Sequence, residues 1–178
     1  PDAPYGLDGR WRWMIFDLDY GYGFKDVTYN ALNNIVLTAD EGSEKPDWST
    51  HLFRGLIQNE EFKTKYINEM ADQLNTILRT ERILDSIDYH EALFLPEIQE
   101  HIDRWTRYPR PNLNDWKSYV ERLRNYARAR TENVHKHMDE SLGAGDTVDV
   151  TLEVSDMGMG TLRINSVVQI YPKDTAAP

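Results

Sequence analysis

Between Asn59 and Gly143 the apolar residues recur at helical spacing, and that pattern leaves this stretch little choice but a helical body. Phe62, Tyr66, Ile67, Met70, Leu74, Ile77 and Leu78 fall on one stripe with a 3.6-residue period. Asn59 stands where an N-cap belongs, and Glu60 and Glu61 follow in the first turn, where they suit the helix dipole. Upstream, Ser49 and Thr50 are the caps expected for a short helix carrying Leu52, Phe53, Leu56 and Ile57. Downstream, Ile83, Leu84 and Ile87 begin a third helical stretch. The sequence predicts a break at Leu95-Pro96 and a resumption through Ile98, Ile102 and Trp105. After Tyr108-Pro109-Arg110-Pro111, Asn112 or Asn114 caps a long helix. Its apolar side holds Trp116, Tyr119, Val120, Leu123, Tyr126, Ala127, Val134 and Met138, and Gly143 supplies the C-terminal cap.

The flanks read as β structure. Leu7-Asp8-Gly9-Arg10 resembles a turn leading into a buried strand, Trp11-Arg12-Trp13-Met14-Ile15-Phe16. Past Gly143 the period switches to two, with Val148, Val150, Leu152 and Val154 on one face of Thr147–Val154. Met157-Gly158-Met159-Gly160 reads as a turn, and Thr161–Asn165 and Val167–Tyr171 as further short strands. Residues 25–47 are polar and irregular, a long acidic loop of the kind that is functional or mobile. The expected fold is α+β and α-rich, with the helices packed on the first strand. Residues 1–142 form one unit and 143–178 a small β appendage or the start of a following β domain.

Charge and composition exclude several classes of function. Thirty acidic residues against 20 basic ones give a net charge of −10, which argues against a general nucleic-acid or membrane-surface binder. No apolar run is long enough to span a bilayer. Cysteine is absent, so neither disulfides nor thiolate chemistry are available.

The candidate chemistry lies at the end of the first strand, in Asp17-Leu18-Asp19-Tyr20-Gly21-Tyr22-Gly23. Two residues apart on an extended chain, Asp17 and Asp19 project from the same face. Burying two unpaired carboxylates side by side costs on the order of several kcal/mol, and a divalent cation such as Mg²⁺ resolves that conflict. The same residues also describe an ordinary turn after a strand. An EF-hand loop is set aside, because counting from Asp17 its sixth and twelfth positions hold Tyr22 and Thr28. Elsewhere, Glu97 and His101 could share a metal on one helix face, but a third ligand is wanting. His135 and His137 point in different directions and read as solvated. Arg122, Arg124, Arg128 and Arg130 could bind phosphate, or pair with acids or water. Arg54, in an otherwise apolar short helix, is expected to turn inward to a carboxylate or carbonyl. No nucleophile elbow, P-loop or dinucleotide loop is present.

Trp11–Gly23 resembles the signature of the CotH family, the spore-coat-type atypical protein kinases. The likeness continues through Leu52–Lys63, Pro96-Glu97-Ile98, His101–Trp105 and Arg124–Arg130, covering roughly residues 9–142. The resemblance implies a reduced kinase-like fold whose C-terminal helical lobe this chain supplies, followed by a short β segment. It implies ATP-dependent phosphorylation of Ser or Thr on secreted, surface or coat proteins, with Mg²⁺ or Mn²⁺ as the metal. Asp17 and Asp19 would hold that metal against the ATP phosphates. The family's nucleotide cradle, lysine and base-positioning acid lie upstream of the acidic motif, and only sixteen residues precede Asp17. The expectation is therefore that this piece does not phosphorylate alone, and that the unpaired edge of its first strand makes a homo-oligomer. Since some members of the family are adhesins, a non-catalytic surface-adhesion or coat-scaffold module is the competing reading.

Overall fold

A computed structural model describes residues 9, 21–23, 26–105, 111–153 and 161–170. The expected turn at 7–10 (Gly9 apart), the first strand, the break around Tyr108 and the turn at 157–160 lie outside these residues. Five helices run in chain order: α1 (Asn33–Val36), α2 (Asp47–Ile57), α3 (Glu60–Asn75), α4 (Thr80–Arg104) and α5 (Leu113–Leu142). A hairpin of β1 (Thr161–Ile164) and β2 (Val167–Ile170) follows. The α-rich character is as the sequence predicts.

Local chemistry sets the helix ends. The Asn59 side chain accepts from the Phe62 amide and starts α3. Asn112, not Asn114, caps α5: it accepts from the Asn114 and Asp115 amides while Asp115 accepts from its own amide, a reciprocal capping box. Gly143 closes α5 at φ 64, a left-handed conformation that glycine adopts without steric cost. Two helix expectations need correction. α2 begins at Asp47 behind Pro46, and Ser49 bonds the Pro46 carbonyl instead of capping. Pro46 cannot extend a helix backwards, so the start is set there. α4 runs unbroken through Pro96. Pro96 and Ala92, whose carbonyl loses its helical donor, are both on the exposed side, where water replaces the missing bond.

The core is thin and lies along α5. Val120, Ala127, Met138 and Leu142 are buried, joined by Ile57, Leu74 and Ile102. α4 and α5 form the main helix pair. Where α4 starts, Thr80 Oγ1 reaches the Ala127 carbonyl at 3.5 Å and Thr131 Oγ1 at 3.3 Å. Arg124, mostly buried, clamps the same pair: it donates to Asp88 at 2.6 and 2.9 Å and to Glu91 on α4, and to Glu121 at 3.4 Å. α2 and α3 meet through Phe53, edge-on to Phe62 and Tyr66 at 6.3 and 5.2 Å. Two apolar members of the expected α3 stripe, Ile77 and Leu78, are instead exposed beyond its end, and Tyr119 of the α5 stripe is exposed as well.

The C-terminal part departs further from expectation. Residues 143–153 carry no strand, and Val148 and Val150 are exposed, because nothing among the described residues pairs with them. Period-2 alternation specifies a face, but a strand exists only with a partner. β1 and β2 do pair, antiparallel, with Ile164 opposite Val167 across Asn165-Ser166. That turn docks on α3: buried Asp72 accepts from Ser166 N at 2.8 Å, Ser166 Oγ at 2.5 Å and Asn165 Nδ2 at 3.3 Å.

Candidate functional site

Asp17 and Asp19 lie outside the described residues, and so does the strand that leads to them. What the structure does describe is how the chain immediately after them is held. Tyr22 and Gly23 both have positive φ, 50 and 77, so the backbone turns sharply three and four residues past Asp19. Gly23 turns against Tyr126: a Cβ on Gly23 would stand 2.7 Å from Tyr126 Cδ2, closer than real Cβ contacts come. The Tyr22 ring lies 5.6 Å from the Tyr126 ring, and Arg122 donates to the Gly23 carbonyl at 3.4 Å.

The moorings continue along one face of α5. Arg130, its guanidinium 5.7 Å over the Tyr126 ring, donates to the carbonyls of Val27 at 3.0 Å and Tyr29 at 3.3 Å. His137 Nε2 meets the Thr28 carbonyl at 3.0 Å. Asn30 reaches Glu140 and Ser141, each at 3.3 Å, and Ser141 donates to Asn33 at 2.5 Å. Arg122, Tyr126, Arg130, His137 and Ser141 are spaced by four, four, seven and four residues, which places them on a single stripe. Residues 21–23 and 26–34 thus form a strap along α5, tied mostly through the strap's own carbonyls.

The loop behind the strap is ordered around buried Asn34. Its side chain donates to Tyr29 Oη at 2.6 Å and accepts from the Glu44 amide at 2.8 Å, while its carbonyl accepts from Ser43. Tyr29 Oη in turn donates to Glu44 at 2.8 Å. A cleft of about 450 Å³ opens between strap, loop and α5, with Gly21, Tyr22, Lys45, Tyr126 and Arg130 on its walls. A second of about 570 Å³ runs between α4 and α5, lined by Ile83, Ile87, Phe94, Trp116 and Leu123, with Tyr22 also on its wall. Tyr22 is therefore shared by both clefts, three residues from Asp19.

The electrostatics are local. Asp26 accepts from the Thr28 amide at 2.8 Å and its hydroxyl at 3.0 Å, and these bonds hold its carboxyl below its ordinary value. Burial pushes the His137 imidazole down, assisted by Arg130, against the opposing Thr28 bond. Among the described residues no group of three or more His, Asp or Glu could hold a metal. Glu97 and His101 are exposed on α4 without a third ligand.

Of the other expected residues, Arg54 turns inward as predicted, donating to Thr50 and to the Asp47 carbonyl at 3.1 Å. The arginine run pairs with acids at Arg124 and Arg128, whereas Arg122 and Arg130 bind strap carbonyls. His137 is a correction: it is buried, at 4% exposure, because the strap covers its face of α5. A covering loop leaves no periodic trace in sequence, so only the unusual polarity of a half-buried helix stripe could have signalled it.

No helix among the described residues is long and apolar enough to cross a membrane. Neither a curated protein nor a solved structure matched the chain. The family model described as CotH kinase protein matches residues 3–134, a span that takes in the acidic motif, the strap and α1 to α4, with α5 up to Val134. The chain belongs to the CotH kinase protein family.

Proposed function

We propose that the chain is part of an ATP-dependent protein kinase acting on Ser or Thr of a coat or surface protein, with Asp17 and Asp19 holding Mg²⁺ or Mn²⁺. The observation that carries this reading is the strap. Starting three residues past the acidic pair, the backbone is fixed to the longest helix by two arginines, a packed tyrosine pair and a buried histidine. A turn needed only to reverse the chain has no use for so many long-range anchors, whereas a phosphoryl-transfer centre depends on rigid positioning of its charges. The metal, when bound, would neutralise charge on the transferring phosphate. This chain's part is to present two carboxylates on one face and to hold the backbone behind them still. The family match supports the reading, since it spans the acidic pair and the strap together.

By the same family reading, we assign residues 1–142 to the kinase-like domain and 143–178 to a β appendage, and place the protein outside the cell, at its surface or in a coat. The test is label transfer from ATP by the full-length protein in Mg²⁺ or Mn²⁺, beside Asp17→Ala and Asp19→Ala. Transfer lost in either variant is the expected result. No transfer and no nucleotide binding by the wild type would overturn the reading in favour of a non-catalytic adhesion or scaffold module.

A further inference from the structure

We propose that His137 is a proton-sensitive clasp that holds residues 26–34 on α5 and lets them go on acidification. His137 is anomalous: it is 4% exposed, yet its Nδ1 is buried with no hydrogen-bond partner among the described residues. The Thr28 carbonyl can only accept, so Nε2 carries the hydrogen and Nδ1 bears a bare lone pair. A buried lone pair without a donor is a modest loss. A buried N–H without an acceptor, on a ring that has also become a cation, is a large one. Protonation therefore penalises the closed strap specifically, since an open strap gives Nδ1 to water.

The charged surroundings reinforce that penalty. On α5, Arg130 and Lys136 oppose a positive imidazole and Glu140 favours it. The strap contributes Asp26, whose carboxylate is already turned onto Thr28. α1 is Asn-Asn-Ile-Val and brings no titratable group. From α3, Glu60 and Lys63 lie towards Ser141 and Leu142, and on α4 Asp88 and Glu91 are taken up by Arg124. Among the described residues no carboxylate stands poised to receive a proton-bearing Nδ1. Burial and Arg130 push the imidazole below its ordinary value, in agreement with the geometry.

The sign follows from linkage. With the closed-state value depressed, the closed strap keeps its full stability above the open-state value of about 6.5. It loses stability as pH falls below that, by at most about tenfold per pH unit, and levels off beneath the closed-state value. Because the strap begins beside the acidic pair, acid would loosen the backbone behind Asp17 and Asp19. The inference itself stands whether or not those residues bind a metal.

The test is amide hydrogen exchange on the full-length protein between pH 7.5 and 5.0, expressed as protection factors so that the chemical rate is removed. Protection at Tyr29, Ala31 and Asn33 is expected to fall by up to roughly thirty-fold towards pH 5.0 while mid-α5 amides hold steady. His137→Gln, which keeps a donor for Thr28 but does not titrate, is expected to be flat over this range. Equal pH dependence in the wild type and His137→Gln, or none in the wild type, would overturn the proposal. Should the variant fail to fold, the imidazole of wild-type His137 can be titrated by NMR. A value at or above 6.5 would overturn the clasp, and a lower value coincident with strap opening would support it.

Discussion

Two faces of α5 are covered by two different kinds of neighbour. One face meets α4 through Val120, Ala127 and the Arg124 ion cluster, in a helix-to-helix contact. The other meets the strap, a mostly irregular segment held by Arg122, Arg130, His137 and Ser141. An irregular segment pairs few of its own carbonyls, here those of Asp26 and Tyr29, so the helix that carries it supplies donors to others. The expected lesson is that losses on the α4 face act on the whole body, while losses on the strap face act on one local position.

That contrast can be broken or sharpened by substitution. The largest effect is expected on the α4 face. Ala127 is 1% exposed, so Ala127→Leu overpacks the crossing with α4 and should lower global stability by about 3 kcal/mol, seen as a lower denaturation midpoint with one transition. Arg124→Met leaves Glu91, Asp88 and Glu121 facing one another and should cost about 2 kcal/mol, again globally, with a dependence on salt. The strap face should behave otherwise. Gly23→Ala forces an alanine to φ 77 with its Cβ against Tyr126, an expected local cost of about 1–2 kcal/mol. Exchange should accelerate at residues 26–34 while the global midpoint moves little. A global loss as large as that of Ala127→Leu would erase the distinction between the two faces.

The smallest effect concerns the hairpin, a third kind of contact. Burial raises the Asp72 carboxyl, but the bonds from Ser166 and Asn165 outweigh it and the net shift is downward. The contribution of Asp72 is therefore complete above about pH 4, the ordinary carboxylate value, and is lost as pH falls through the lowered one. Below pH 4, exchange at residues 161–170 should rise before that of α4 and α5. Asp72→Asn should remove that early step, and its persistence in the variant would show that another group holds the hairpin.

The helices were legible because their signals are local. Asn59, Asn112 and Gly143 act within a turn of themselves, and the stripes through Leu74 and Ala127 need only a period. Pro96 misled because a proline's cost depends on whether the orphaned carbonyl faces water, which sequence does not state. Thr147–Val154 misled because a strand is a relation between two segments. The strap was invisible for a related reason. Arg130 and His137 bind main-chain oxygens, and no residue type in 27–29 advertises a carbonyl. Of the candidate site, spacing suggests the acidic pair, which lies outside the described residues, whereas the strap contacts that follow it came only from the fold.

The use of main-chain carbonyls has an evolutionary consequence. Val27 and Thr28 offer α5 an atom that every amino acid possesses, so these two ties to the helix do not depend on which side chains stand there. Arg130 and His137 have no such freedom, because only their own side chains provide the donors. Selection on this site should therefore be written into the helix, over a hundred residues downstream of the loop whose shape it preserves.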